Sequence, residues 1–190
     1  MGYLLGKINS SLILGLIFIL VSLSLKISAA PFHMWTPDVY QGAPSIITTL
    51  LSTLPKIAAF GVLIRLLVYP FGEIIVDWGK ILIILSISSM LIGSLGALRQ
   101  TDLKRLMAYS TINHIGFILM GLIPGSEDGI TSICIYLIFY ITMNLGIFLF
   151  ILKIYYFFIQ LFVSFYSLLS SSHTHTYTHI HTYTYTYIYI

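Results

Sequence analysis

The stretch Ser45–Val68 reads SIITTLLSTLPKIAAFGVLIRLLV and decides how this chain folds. It is apolar and long enough to cross a bilayer as one helix. Lys56 lies halfway along it, directly after Pro55. Water is about 15 Å from that midpoint, which is farther than a lysine stem reaches. Lys56 must therefore face a protein interior or a wet cavity, and an ionisable group at that depth predicts a functional site.

The composition of the whole chain is that of an integral membrane protein. Of the 190 residues, 58% are hydrophobic and only 8% are charged, with a formal net charge of +3. Soluble globular proteins carry about 25% charged residues. The few basic residues are scattered rather than clustered, which excludes nucleic acid as an expected partner and leaves the lipid bilayer.

Five apolar runs predict five membrane helices, so the expected fold class is an all-α integral membrane bundle. The runs cover residues 10–30, 45–68, 81–98, 106–123 and 130–152, and residues 1–152 form one predicted transmembrane domain. Residues 153–169 are apolar and aromatic; they either extend the fifth span or form a sixth, interfacial segment. Residues 170–190 alternate His, Thr, Tyr and Ile, a pattern that predicts a disordered tail translated from repetitive DNA.

Loop charge predicts the orientation of these spans. The loop between the third and fourth spans is basic, with Arg99, Lys104 and Arg105. The loops on the opposite side are mainly acidic, with Glu73, Asp77, Glu127 and Asp128. The positive-inside rule therefore places the basic loop, and with it residues 31–44, on the cytoplasmic or matrix side.

Lys26 precedes a stretch in which prolines are expected to interrupt a membrane helix. Residues 31–44 read PFHMWTPDVYQGAP, and Pro31 and Pro37 are predicted helix breaks. A broken helix at membrane depth is tolerated where it lines a cavity, as on the ion paths of transporters. Lys26 is then either a lysine within the membrane or one whose stem extends to the interface.

Pro55 is the third predicted helix break, because it has no N–H for the carbonyl of Leu51. Polar side chains at helical spacing, Ser45, Thr49 and Ser52, share a face with Lys56. This face is either a wet site for proton transfer or a row of hydroxyls packed against another helix.

Neither membrane lysine has a carboxylate partner in a predicted span, since all six Asp and Glu residues lie outside the spans. Lysine changes its protonation readily when buried, which suits Lys26 and Lys56 to proton translocation. Their partners are expected on a second polypeptide, or the chain is incomplete.

The fourth span adds three candidate relay residues, Tyr109, Ser110 and His114. A histidine can relay protons near neutral pH, although a lone one in a helix is more often a packing residue. No glycine loop, nucleotide fingerprint or nucleophile arrangement occurs. Catalytic residues, a cofactor site and a metal site are therefore not predicted in this chain.

Three segments together carry a family resemblance: LKISAAPFHMWTPDVYQGAP, then LPKIAAFGVLIRL, then GALRQTDLKRLMAYSTINHIGFILMGL. The chain resembles the proton-translocating membrane subunits of respiratory complex I over residues 12–152. Within that family it is most similar to the subunit N branch, called subunit 2 in mitochondria. The specific features are a lysine before the proline-interrupted signature and a second lysine in a Pro–Lys pair.

The resemblance implies an antiporter-like helix bundle of inverted repeats. It implies that Lys26 pairs with a glutamate on an earlier helix and that Lys56 is the central relay lysine, with His114, Ser110 and Tyr109 near the polar axis. NADH, FMN, iron–sulfur clusters and quinone are expected elsewhere in the complex, and other membrane subunits are the expected partners. The AT-rich coding suggested by the Ile, Phe and Tyr content favours the mitochondrial inner membrane over the bacterial plasma membrane.

The chain departs from the family pattern in ways that leave alternatives open. Helices expected upstream and after residue 152 are missing, and Pro44-Ser45-Ile46 replaces a Pro-Thr-Pro turn. The leading interpretation is a membrane subunit of NADH:quinone oxidoreductase that is itself without redox chemistry. The alternatives are a subunit of a related cation/proton antiporter or membrane hydrogenase, and a non-functional truncated fragment.

Overall fold

The computed structural model describes the backbone of residues 2–169 and, within it, the side chains of 12–72 and 74–164. Every regular element of the described part is a helix. Its elements are α1 (Gly2–Ile27), α2 (Trp35–Gly42), α3 (Ser45–Val68), a 3-10 turn (Gly72–Ile74), α4 (Ile75–Leu98), α5 (Leu103–Leu122) and α6 (Glu127–Leu169). Five long helices and one short helix confirm the predicted all-α bundle with a broken helix. The tail 170–190 lies outside the described residues.

Most of the long helices match the predicted membrane spans. Among the described residues, three helical stretches are long and apolar enough to cross a membrane: Ser45–Val68, Ile75–Leu98 and Glu127–Ser164. The apolar stretch Leu12–Ile27 of α1 is shorter. α5 has 20 residues and could cover about 30 Å at 1.5 Å per residue, but Asn113 and His114 interrupt its apolar character.

The helix that contains the fifth predicted span continues through the aromatic segment after residue 152. α6 runs without a break for 43 residues. A helix of that length measures about 64 Å, roughly twice the hydrocarbon thickness of a bilayer.

One continuous hydrophobic core joins the long helices. Trp78 of α4 is fully buried, and its indole Nε1 donates a hydrogen bond to the carbonyl of Phe71 at 2.9 Å. This bond satisfies the only polar atom of the ring, so the indole can be buried without an unpaired donor. Other members of the core come from all five long helices and include Leu16, Leu20, Phe60, Leu63, Leu82, Ile115, Leu119 and Ile133.

Small residues let α4 and α5 approach closely. A Cβ atom on Gly93 would lie 2.6 Å from the backbone nitrogen of Asn113 in α5. The row of small residues at four-residue spacing, Ser89, Gly93 and Ala97, therefore serves packing inside this chain. α4 and α5 are the most closely packed pair of helices in the described part of the chain.

The break after α1 is closed by backbone and side-chain hydrogen bonds. Ser28 has a φ of 66°, and the amides of Ser28 and Ala29 bond back to the carbonyls of Leu25 and Ser24. This is the geometry of a Schellman cap, in which a residue with left-handed backbone ends the helix. The helix therefore ends before Pro31, which lies in the non-helical interruption.

The other two predicted breaks are wrong as breaks. Pro37 lies in the first turn of α2, where its missing N–H would have no partner within the helix. α3 continues through Pro55 from Ser45 to Val68. A single proline inside a long packed helix removes one backbone bond without ending the helix, because the flanking turns are held by tertiary contacts.

Candidate functional site

Lys56 is buried at the centre of the bundle, as its position in the sequence predicts. Its side chain is 2% exposed, and Nζ donates a hydrogen bond of 2.9 Å to the hydroxyl of Tyr40. The ammonium also lies 5.4 Å from the centroid of the Tyr40 ring. The structure thus gives Lys56 a neutral aromatic partner within the chain, on the short helix α2.

Tyr40 belongs to a group of four buried polar residues, each from a different helix. Its phenol lies near the hydroxyl of Thr111 on α5. The Thr111 hydroxyl oxygen lies 3.4 Å from the phenol oxygen of Tyr140 on α6, which is long for a hydrogen bond. Lys56, Tyr40, Thr111 and Tyr140 are each no more than 2% exposed. We call these four residues the buried polar row.

Tyr140 also contacts the backbone of α3, the helix that carries Lys56. Its hydroxyl donates a bond of 3.0 Å to the carbonyl of Ser52. That carbonyl lies one residue after Leu51, whose carbonyl Pro55 leaves without its helical donor. The proline-containing turn of α3 is therefore the place where a side chain of another helix reaches the α3 backbone.

His114 forms a branch beside this row rather than a member of it. Its Nδ1 lies 2.8 Å from the hydroxyl of Tyr136, and its ring packs edge-on against Tyr140 with centroids 5.6 Å apart. One turn beyond Tyr140, Asn144 is 4% exposed, and its Nδ2 has no hydrogen-bond partner among the described residues. The polar side chains of α6 thus follow one face at four-residue spacing.

The hydroxyls that precede Lys56 on α3 are not part of the row. Thr49 donates to the carbonyl of Ser45 at 2.7 Å, and Ser52 donates to the carbonyl of Thr49 at 2.8 Å. These bonds return to the α3 backbone, which satisfies the hydroxyls locally.

The other predicted site residues are not brought together with Lys56. Lys26 is exposed on the outer face of α1, in a shallow groove that it shares with Ser22, Leu23 and Leu66. Tyr109 is half-buried, with its ring 6.4 Å from that of His33. Ser110 is half-buried beside Thr111. The functional roles suggested for Lys26, Tyr109 and Ser110 remain predictions.

The arrangement is chemically suited to moving protons. A hydroxyl is both a donor and an acceptor, so a chain of hydroxyls can pass a proton by exchanging bonds. A buried lysine at one end supplies a group that gains and loses a proton at moderate cost. Within the described residues no group of three or more His, Cys, Asp or Glu side chains could hold a metal ion.

A multi-span helix bundle with a buried lysine and a hydroxyl row defines a class of membrane proteins that handle protons or ions. A family model described as "NADH:quinone oxidoreductase/Mrp antiporter, TM" matches residues 3–161. The chain belongs to this family of transmembrane subunits, and it is a multi-pass membrane protein.

Curated relatives agree with the family assignment. NADH-quinone oxidoreductase subunit N 1 of Acidiphilium cryptum (strain JF-5) is 52% identical over 135 residues, which are 71% of this chain and 28% of the relative. NADH-quinone oxidoreductase subunit N of Jannaschia sp. (strain CCS1) is 50% identical over 147 residues, covering 77% of this chain and 30% of the relative. The resemblance to subunit N is thereby confirmed. The chain spans about three tenths of the length of these relatives.

A solved structure has a similar fold. One chain of the membrane-bound sulfane sulfur reductase, an archaeal respiratory membrane complex, aligns with a TM-score of 0.59 and 26% sequence identity. The alignment covers 67% of this chain and 26% of that chain.

Proposed function

We propose that this chain supplies part of a proton pathway to the membrane arm of NADH:quinone oxidoreductase. The observation that carries the proposal is the contact between Lys56 and Tyr40, 2.9 Å long and fully enclosed by the bundle. The Thr111 hydroxyl and a second phenol, Tyr140, lie beside this contact. The names of the similar relatives support NADH and quinone as the redox partners of the assembled enzyme.

In this proposal the chain performs no redox step of its own. NADH, FMN, iron–sulfur clusters and quinone belong to other subunits, and quinone reduction supplies the energy. Lys56 exchanges its proton with the hydroxyl row, and Lys26 on the outer face meets a helix of another membrane subunit or of a second polypeptide. The exposed apolar side chains of the bundle are then covered by these partners and by lipid.

A second candidate function is a membrane subunit of a related cation/proton antiporter or membrane hydrogenase. The family description names Mrp antiporters, and the solved structure with a similar fold comes from a sulfane sulfur reductase. Co-purification discriminates between them, because only the first function predicts NADH dehydrogenase activity in the same particle.

Two energy-conserving membranes fit the proposal. The Ile, Phe and Tyr content favours the mitochondrial inner membrane, whereas the bacterial relatives favour the bacterial plasma membrane. Fractionation of cells that produce the chain, followed by peptide mass spectrometry of each membrane, decides between them.

The first test is native gel electrophoresis of purified membranes, with peptide mass spectrometry of each band. Peptides from residues 2–153 that migrate with the large NADH dehydrogenase support the proposal. Peptides found only as a small free species, or none at all, identify the chain as a truncated fragment without proton traffic.

The second test compares variants in the assembled complex. Lys56→Ala should abolish proton translocation through this subunit, and Lys56→Arg should retain more, since it keeps a cation near Tyr40. Lys80→Ala is the matched control, because Lys80 is an exposed lysine on α4. Normal coupled activity in Lys56→Ala would defeat the proposal.

A further inference from the structure

Three polar contacts join α2 and the residue after it to the start of α5. The carboxylate of Asp38 accepts a hydrogen bond of 2.6 Å from Arg105, and Gln41 donates one of 2.6 Å to Asp102. Lys104 donates to the carbonyl of Ala43 at 2.8 Å. We call these three contacts the α2–α5 latch. All of them link residues at least 60 positions apart in the chain.

Little within α2 itself fixes its position. It has eight residues, and no side chain caps its N-terminus. A free helix of this length does not persist in water, so its placement depends on tertiary contacts. Non-helical residues 28–34 and 43–44 flank it on both sides. The Thr48 hydroxyl bonds to the carbonyl of Tyr40 at 3.4 Å, which is long for such a bond.

Tyr40 lies between the latch residues of α2. Asp38 is two residues before it, and Gln41 and Ala43 follow it. Asp38 and Gln41 lie about 160° and 100° around α2 from Tyr40, so they contact α5 while Tyr40, on another side of the helix, contacts Lys56. A shift of α2 by about 1 Å would lengthen that bond beyond the range of a good hydrogen bond.

We propose that the α2–α5 latch positions Tyr40 on Lys56, so that Asp38, Gln41, Lys104 and Arg105 act through α2 on the buried polar row. The latch lies at the end of the bundle that carries the basic loop, at a distance from Lys56. The proposed function makes the Tyr40–Lys56 contact important, but the positioning itself is a property of this chain and can be tested without the rest of the complex.

The exposure of the latch residues sets the size of the expected effect. The side chain of Asp38 is 72% exposed and that of Arg105 is 38% exposed. Each exposed ion pair contributes little to stability. Removal of one latch contact should therefore change the ratio of displaced α2, with Tyr40 away from Lys56, to α2 in its place by about two- to fivefold. The Nε atom of Arg105 is buried and has no partner among the described residues, so the bond from Nη2 to Asp38 is the contact that holds this guanidinium. Removal of all three contacts should change this ratio by about tenfold or more, because the effects of independent contacts multiply.

The test measures how fast a membrane-permeable amine reagent acylates Lys56 in the full chain reconstituted in lipid nanodiscs. Peptide mass spectrometry reports Lys56 and Lys26 in the same sample, and the exposed Lys26 serves as the internal control. The variants are Asp38→Asn, Asp38→Glu, Gln41→Ala and the exchanged pair Asp38→Arg with Arg105→Asp. Asp77→Asn, an acidic residue on α4 outside the latch, is the matched control.

We expect Asp38→Asn and Gln41→Ala each to raise the Lys56 rate by about two- to fivefold, with the Lys26 rate unchanged. Asp38→Glu and the exchanged pair should return the rate toward that of the parent chain, which general loosening of the fold would not do. Unchanged Lys56 rates in both single variants overturn the proposal, and so does an equal rise in Asp77→Asn or at Lys26. A latch that fails this test leaves the native-gel and Lys56→Ala results untouched.

Discussion

At the residue scale, one buried hydrogen bond makes this site possible. A lysine in the middle of a membrane helix is expensive to bury, and Tyr40 reduces that cost through a hydroxyl at 2.9 Å. Both partners are almost completely enclosed. The free energy of the bundle should therefore depend on that single hydroxyl.

Tyr40→Phe should lower the free energy of unfolding by about 1–3 kcal/mol. The variant keeps the ring packing but leaves the Lys56 amine without its oxygen partner, and bonds to charged groups contribute about 1.5–3 kcal/mol. The measurement is reversible denaturation in bicelles. Tyr69→Phe is the control, since Tyr69 is 81% exposed at the end of α3. Equal stability of the two variants would show that the Tyr40 hydroxyl does not hold Lys56.

The sequence predicted the burial of Lys56 but not its partner. Burial follows from local information, since no lysine stem reaches water from the middle of such a helix. The partner depends on how α2 folds back beside α3, and no pattern within PFHMWTPDVYQGAP distinguishes Tyr40 from its aromatic neighbours. Thr111 was missed beside the chosen Ser110 because the two differ by only about 100° around α5.

One signal for the α6 part of the site was present in the sequence. Tyr136, Tyr140 and Asn144 recur every four residues within an apolar run, which places three polar groups on one helical face. That spacing could have identified the face that meets α3 and α5. The exposed position of Lys26 could not have been found in this way, because exposure depends on which helices pack on α1.

At the element scale, the broken helix is held by serines of α4. The amide of Ala30 donates to the hydroxyl of Ser89 at 2.8 Å, and its carbonyl accepts a bond of 2.9 Å from Ser88. A non-helical peptide inside a membrane bundle needs such partners, because lipid supplies none. The non-helical interruption is therefore stabilised by specific hydrogen bonds to α4.

Ser89→Ala should destabilise the chain by about 1–3 kcal/mol, because it leaves the buried amide of Ala30 without an acceptor. Ser94→Ala in the same helix should have little effect, since the exposed Ser94 hydroxyl bonds only to the carbonyl of Leu91 in its own helix. Denaturation in bicelles compares the two. If Ser94→Ala lost as much stability as Ser89→Ala, the effect would belong to α4 as a whole rather than to the hydrogen bond between Ser89 and Ala30.

Two glycines of α4 should respond in opposite directions to the same change. A Cβ at Gly93 would collide with the backbone of Asn113. Gly93→Ala should therefore move α4 away from α5 and lower the free energy of unfolding by about 1–3 kcal/mol. Nothing lies within 4 Å of a Cβ at Gly79, so Gly79→Ala should gain about 0.5–1 kcal/mol of helix propensity. Thermal unfolding of both variants shows whether each is more or less stable than the parent chain. A stabilised Gly93→Ala would mean that the two helices are not in close contact.

At the scale of the whole molecule, the helix ends separate into two groups with different charge. The latch brings residues 38–43 together with 102–105 at one end of the bundle. At the other end, Gly125 lies against Trp78, near the turn that leads into α4. The grouping agrees with the predicted placement of residues 31–44 beside the basic loop. The basic loop contributes Arg99, Lys104 and Arg105, whereas Lys80 is the lysine near the opposite loops.

This asymmetry predicts the orientation of the chain in the membrane. Positive residues near span ends are retained on the cytoplasmic or matrix side, so three cations against one should place residues 99–105 there. The test uses a Cys134→Ser background and an impermeant maleimide. Thr101→Cys should react only when the reagent is on the cytoplasmic or matrix side, and Ser126→Cys only when it is on the opposite side. Both positions are exposed in loops, so access depends on orientation rather than on burial. Labelling of both from one side would contradict an odd number of crossings between them, and α5 would then lie along the bilayer instead of across it.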